Sequence, residues 1–275
     1  MTLDPEEIRR AVRLAVAEDL GSGDVTSEAT IPPHARATAV MVARQPLVLA
    51  GIAFAEAAFG ENKMTRHASD GDSVPKSAHL LTIQGDARAV LTAERVALNF
   101  VQRLSGIATL TRQFVDAVRG TRAKILDTRK TTPGWRRFEK YAVKCGGGEN
   151  HRFGLFDMVL IKDNHLAALA GNIALAVQAA RKKSPSLKIE VEADTLDQAA
   201  KAAEAGADIV LLDNMTPDQL RSAVKLIGGR CKTEASGGVT LANVRQIADT
   251  GVDCISVGAL THSAPAVDIG LDFQS

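Results

Sequence analysis

Apolar residues recur every four positions near the start of the chain: Ile8, Val12, Val16 and Leu20 form one stripe over residues 5–20. That spacing predicts an amphipathic helix. Ser22 to Pro33 is rich in turn formers, and beyond it residues 38–42 and 47–51 carry the short apolar runs of strands. Asp70-Gly71-Asp72-Ser73-Val74-Pro75 reads as a turn before a strand at 80–83. A turn followed by a short apolar strand superficially resembles a biotinyl or lipoyl carrier domain, but no lysine sits at a hairpin tip, and that reading is set aside. Residues 91–119 predict a long helical stretch that Gly106 could divide in two. Thr92 would be its N-cap, with Glu94 in the first turn to complement the helix dipole.

From residue 123 onward the texture changes. Apolar runs at 123–126, 158–161, 189–191, 209–212, around Thr233 and at 254–257 alternate with alanine-rich helical stretches at 167–182, 197–205 and 217–227. Strands alternating with helices predict βαβ units and a parallel sheet. Six strands are fewer than a complete eight-fold barrel needs, so an open doubly wound sheet stays possible on this pattern alone. No glycine fingerprint of the dinucleotide-binding type follows the first strand, which weakens that alternative.

Composition narrows the class. The 275 residues are 45% hydrophobic but only 4% aromatic, so the core must be largely aliphatic, as parallel strands under helices require. The start, Met1-Thr2-Leu3-Asp4-Pro5-Glu6-Glu7, is acidic where an export signal is basic and then apolar, and no apolar segment approaches the ~20 residues that span a bilayer. Cys145, Cys231 and Cys254 are odd in number and lack CxxC spacing, which predicts reduced thiols in a cytoplasmic protein. The net charge of +1 hides an uneven distribution. Ten Lys or Arg residues stand between Arg119 and Arg152 against Asp127, Glu139 and Glu149, whereas residues 188–272 carry thirteen acids against seven bases. Trp135, Phe138 and Tyr141 interleave the basic run, but its confinement to one segment argues against nucleic acid.

Candidate chemistry follows the apolar runs. Their carboxyl ends are Asp127-Thr128-Arg129-Lys130, Lys162-Asp163-Asn164-His165, Glu190-Val191-Glu192, Asp213-Asn214, Glu234-Ala235-Ser236-Gly237-Gly238 and Val257-Gly258-Ala259. Barrels and open α/β sheets both put their sites on that face. Ser236-Gly237-Gly238 and Val257-Gly258-Ala259 end the last two strands, where backbone N–H groups can close on a phosphate. Glu192 and Asp213 end adjacent strands and could converge on Mg²⁺ held jointly with substrate phosphates. The alternative is a structural ion pair. Gly146-Gly147-Gly148-Glu149-Asn150-His151-Arg152 lets a backbone pass close to something, and Arg129, Lys130, Arg152 and Lys162 could form one cationic pocket. Several charge-assisted contacts, each worth about 1.5–3 kcal/mol, imply a polyanionic ligand. His151 reads equally as a ligand-facing donor or a satisfied core histidine.

These residues carry a resemblance. Thr92-Ala93-Glu94-Arg95, Leu104-Ser105-Gly106-Ile107-Ala108-Thr109 and Asp127-Thr128-Arg129-Lys130-Thr131 are similar to the nicotinate-nucleotide pyrophosphorylase family, also called quinolinate phosphoribosyltransferase. Glu139-Lys140-Tyr141-Ala142-Val143, Asn150-His151-Arg152, Ile161-Lys162-Asp163-Asn164-His165, Leu212-Asp213-Asn214, Glu234-Ala235-Ser236-Gly237-Gly238 and residues 256–263 match in the same order. So, nearer the start, do Glu18-Asp19-Leu20 and Gly23-Asp24-Val25-Thr26.

The resemblance implies an irregular, incomplete α/β barrel over 109–265. Before it would come an α/β sandwich domain over 1–108, joined by the tail 266–275. It implies transfer of phosphoribosyl from phosphoribosyl pyrophosphate to quinolinate with loss of CO₂, using Mg²⁺, in a homodimer that binds neither nucleic acid nor membrane. Arg95, Thr128, Arg129, Lys130, His151, Arg152 and Lys162 would hold the two carboxylates and nearby phosphate oxygens, with Arg95 reaching into the neighbouring subunit's site. Glu192 and Asp213 would serve ribose and metal; Ser236, Gly237, Gly238, Val257, Gly258 and Ala259 would hold phosphate. Lys130, Lys162, Glu192 and Asp213 are the expected catalytic groups. Glu149, Trp135 and Phe138 depart from the family pattern and could tune substrate preference. A related molybdenum-transport-associated paralogue, a barrel aldolase using Lys162 as a Schiff base, and a non-catalytic binding module are the competing readings.

Overall fold

The computed structural model describes residues 2–274. Helix α1 (Pro5–Leu20) follows the expected stripe, with Ile8 and Val12 buried and Asp4 accepting the Glu6 N–H at 2.9 Å. The stretch expected to be turns contains a short helix, α2 (Val25–Thr30), because Asp24 caps it by accepting the Ser27 N–H at 2.9 Å. Strands β1 (Arg36–Ala43) and β2 (Leu47–Val48), helix α3 (Ile52–Phe59), and strands β3 (Lys63–Arg66), β4 (Ser73–Val74) and β5 (His79–Asp86) follow.

Helix α4 (Ala87–Ala117) runs for 31 residues without interruption, which corrects two expectations. It begins ahead of Thr92, with Asp86 accepting the Ala89 N–H at 2.9 Å, and the Thr92 hydroxyl instead donates to Asp24 at 3.0 Å. Gly106 is not a hinge. A Cβ there would stand 2.1 Å from the Pro265 carbonyl oxygen, so glycine serves the close approach of a second backbone.

The chain continues through β6 (Lys124–Leu126), α5 (Arg136–Cys145), β7 (Val159–Ile161), α6 (Asp163–Ala167), α7 (Ile173–Lys183), β8 (Ile189–Ala193), α8 (Leu196–Glu204) and β9 (Ile209–Asp213). Helix α9 (Pro217–Ile227), β10 (Lys232–Ser236), α10 (Val244–Ala248), β11 (Cys254–Ser256), α11 (Ala259–His262) and β12 (Ile269–Gln274) complete it. The helix expected over 167–182 is α7, which begins only at Ile173, because Ala167 closes α6 and Ala170 and Gly171 both take positive φ.

Two compact units emerge, one of Met1–Arg112, Thr132–Gly147 and Ser263–Ser275, the other of Gln113–Thr131 and Gly148–His262. This division differs from the expected boundary chiefly in the segment carrying α5. Its Tyr141 hydroxyl donates to Asp70 at 2.7 Å, and its fully buried Glu139 accepts from Arg103 at 3.1 Å, so it is built into the first unit.

In the first unit an antiparallel sheet of order β12-β1-β5-β3 shares its apolar face with helical residues in a core that includes Met41, Leu81, Ile83, Leu98 and Val101. In the second unit six parallel strands take the order β6-β11-β10-β9-β8-β7. The first strand therefore lies beside the last, as in a barrel; a doubly wound sheet would reverse order about a central strand. The gap falls between β6 and β7. There Glu149 runs parallel beside β6, its N–H on Ile125 at 2.8 Å and its carbonyl accepting from Asp127 at 3.1 Å. The barrel is thus incomplete. Along β8 the period of two buries Ile189, Val191 and Ala193 on one face and puts Glu190 and Glu192 on the other. Register aligns Glu192 with Leu211 and Glu234, and Asp213 with Ser236.

Candidate active site

Alternation and register together decide which side chains share the barrel interior. That interior opens at the carboxyl ends of the strands into a cavity of about 710 Å³, within the range that holds small organic ligands. Thr128, Arg129, Lys130, His151, Arg152, Lys162, Glu192, Asp213, Ser236, Gly237, Gly238, Val257, Gly258 and Ala259 all line it. Every expected site residue is present except Arg95, an exposed residue of α4.

The cationic wall is held by the segment that crosses the gap. Asp127, fully buried at the end of β6, accepts the His151 N–H at 2.9 Å and the Asn150 side-chain amide at 2.6 Å. Arg152 follows directly, its Nη1 within 3.4 Å of the Met158 carbonyl. Burial and the neighbouring Arg129 both disfavour charge on Arg152, against the pull of Glu190 and Asp157. Two guanidinium groups crowded in this way are what an anion would relieve.

His151 turns out to be both ligand-facing and satisfied. Its Nδ1 accepts the Arg152 N–H at 2.8 Å, which leaves the proton on Nε2, 2.9 Å from Glu190 and 3.5 Å from Glu234. The three ligand-type atoms lie within 4.8 Å of one another. Glu190 and Glu234 are almost completely buried. Burial first, and Glu190 next, push the Glu234 carboxyl up to about 8, against the opposing pull of His151 and Ser256. A proton on Glu234 therefore neutralises part of this cluster at neutral pH.

At the carboxylate side, Glu192 forms a close ion pair with Lys162, and Asp213 accepts the Asn214 amide at 2.6 Å. Each of these bonds uses one carboxylate oxygen and leaves the other. At the opposite side Gly258 admits two side chains: a Cβ there would meet His262 Nε2 at 3.1 Å and Lys130 Cδ at 3.2 Å. The Thr261 hydroxyl donates to the Lys130 carbonyl at 2.7 Å and fixes that strand end to α11.

Leu160, Leu211, Asn214, Glu234, Val239, Thr240, Ser256 and His262 also line the cavity, and none of them was assigned a role from the sequence. Counting by twos back from Asp213 and Ser236 would have found Leu211 and Glu234. His262 stood in the matched motif over residues 256–263, which does not say what it faces. Three residues suspected of tuning preference lie elsewhere. Glu149 pairs with Lys124 at 2.6 Å, while Trp135 and Phe138 join Phe54 and Phe100 in an aromatic cluster of the first unit.

The quinolinate phosphoribosyl transferase N-terminal and C-terminal domain families match residues 24–105 and 107–272. Nicotinate-nucleotide pyrophosphorylase [carboxylating] of Mycobacterium leprae (strain TN) is 47% identical over 274 residues, covering 96% of each chain. The probable enzyme of that name from Bacillus subtilis (strain 168) is 44% identical over 97% of this chain and 93% of its own. The solved nicotinate-nucleotide pyrophosphorylase from Francisella tularensis superposes with a TM-score of 0.94 at 40% identity, covering 99% of this chain and 98% of that one. With both domain families matched in order and relatives aligned nearly end to end, the chain belongs to the quinolinate phosphoribosyltransferase family.

Proposed function

We propose that this chain joins quinolinate to phosphoribosyl pyrophosphate, releasing pyrophosphate and CO₂ and forming nicotinate mononucleotide for NAD biosynthesis. The observation that carries the reading is the pairing of a crowded cationic wall, Arg129 and Arg152, with Glu192 and Asp213 in one cavity. Quinolinate presents two carboxylates for that wall, with Thr128, His151 and Lys162 beside them. Lys130, Ser236, Gly237, Gly238, Val257, Gly258 and Ala259 would take the phosphate, and Glu192 and Asp213 the ribose.

As pyrophosphate leaves C1 of the ribose, positive charge grows on the ring, and the two carboxylates stabilise it. The pyridine nitrogen donates its lone pair to C1. The ring then carries positive charge, its 2-carboxylate departs as CO₂, and the electron pair left at C2 takes a proton. A ring nitrogen without a proton needs no general base. Glu192 and Asp213, hard oxygen donors each with a second oxygen, suit Mg²⁺. That ion would supply charge neutralisation of the leaving pyrophosphate. A Schiff base at Lys162 is disfavoured by its ion pair with Glu192.

We further infer a homodimer in which Arg95 of the partner subunit completes the cavity, a reading supported by the exposure of Arg95. Three free cysteines support a cytoplasmic setting, and none of the helices of the described residues is long and apolar enough to cross a membrane.

The test is a coupled assay with quinolinate, phosphoribosyl pyrophosphate and Mg²⁺, with nicotinate as the control base. Product from quinolinate alone is expected. No product from folded protein would move the paralogue reading to first place.

A further inference from the structure

One residue at the cavity mouth adopts a backbone conformation that its type tolerates only at a cost. Asn214, directly after β9, has φ of 52°, and Ser77 and Ala170 are the other described non-glycine residues with positive φ. Left-handed backbone is least unfavourable for Asn and Asp among residues with a side chain, and strain of this kind persists where the surroundings over-determine it. Three contacts do so. The Asn214 N–H donates to the Ser236 carbonyl at 2.9 Å, which joins the carboxyl ends of β9 and β10. Its side-chain Nδ2 donates to Asp213 Oδ2 at 2.6 Å. Its Oδ1 lies against Gly237 so closely that a Cβ at that position would stand 2.1 Å away.

The geometry points to Asn214 as a positioning residue that couples the Asp213 carboxylate to the Gly237–Gly238 turn. Its amide fixes one oxygen of Asp213, which turns the other toward the ribose, while its carbonyl side occupies the space that keeps the glycine turn in place. The turn itself holds Gly237 at φ 92° and Gly238 at φ 59°. Ribose and phosphate are therefore read by one rigid unit, and a shift of Asp213 moves the phosphate cradle with it. This inference rests on the proposed assignment of Asp213 to ribose and of the turn to phosphate.

The test separates the amide from the backbone. In Asn214→Gly the left-handed conformation is free of strain but the amide is gone; in Asn214→Asp the shape and backbone preference stay but the donor is lost. Both variants are expected to keep the parent Tm within a few degrees. In both, kcat/KM for phosphoribosyl pyrophosphate should fall at least tenfold, with KM for quinolinate changed less than twofold. Affinity for ribose 5-phosphate, measured by calorimetry, should fall in parallel. A purely conformational role predicts instead that Asn214→Gly matches the parent, and a glycine variant within twofold in both measurements overturns the proposal. If Asn214→Gly fails to fold, Asn214→Asp decides by the same two numbers. A parent that makes no product but binds ribose 5-phosphate would sink the proposed reaction and leave the binding arm to judge Asn214. A parent that neither turns over nor binds would overturn both.

Discussion

Glu234 shows how far the barrel interior departs from an ordinary surface for a single side chain. Its carboxyl, pushed up to about 8 from its ordinary 4.5, stays protonated where an unfolded chain would have ionised. The native state then holds more protons than the unfolded state between those two values, so stability falls as pH rises through that window and levels off above it. Each pH unit costs up to about 1.4 kcal/mol. Glu234→Gln, which cannot ionise, should therefore gain on the parent in Tm as pH is raised from 5 to 8. Parallel Tm curves would remove the buried proton. The cationic wall makes a second prediction at this scale: Arg152→Ala and Lys162→Ala should each lose well over tenfold in kcat/KM, tenfold being about 1.4 kcal/mol of transition-state stabilisation. Activity near the parent's would contradict their placing on the substrate. The lining residues themselves were largely legible, because the chemistry sits at strand ends and strand ends are visible as apolar runs turning polar. Glu234 was visible too, but its role was not, since its charge state depends on Glu190 and His151 arriving from elsewhere in the chain.

Helix α4 marks the limit of that legibility at the level of elements. The six barrel strands and helices α1, α8 and α9 follow from periodicity, and the structure has them close to where the pattern predicts. The start of α4 did not, because Asp86, the last residue of β5 and beyond the strand expected at 80–83, caps it, and Thr92 is drawn away to Asp24. Gly106 misled for a related reason. A glycine within a helical pattern is as consistent with a hinge as with a close neighbour, and only the Pro265 carbonyl, some 160 positions later, distinguishes them. Gly106→Ala follows as a test. If glycine there were a hinge, alanine would raise helix propensity and stabilise the fold. Against a carbonyl 2.1 Å from the new Cβ, alanine should instead destabilise by about 1–3 kcal/mol. Thermal denaturation reads the sign directly, and an increase in Tm would restore the hinge.

At the scale of the whole molecule, charge and composition excluded classes of function but did not show how many chains make one site. Arg95 is the residue on which that question turns, since it belongs to the matched motif yet does not line the cavity of its own chain. The proposed homodimer gives Arg95 a place in the neighbouring subunit's site, and this has a consequence that no single-chain reading shares. Arg95→Ala and Lys162→Ala should each be nearly inactive alone, the first for want of a donor to its partner, the second for want of its own lysine. Unfolded together and refolded as a mixture, about half of the dimers should carry one of each, by random pairing about a two-fold axis. In such a dimer the Arg95→Ala chain keeps Lys162 and receives an intact arginine, so one site of two is whole. Activity should return to about a quarter of the parent's, again by random pairing, and should vanish if the two variants are assayed together without exchange. Recovery no greater than the sum of the two variants alone would confine Arg95 to its own chain and leave the cavity to be completed from within.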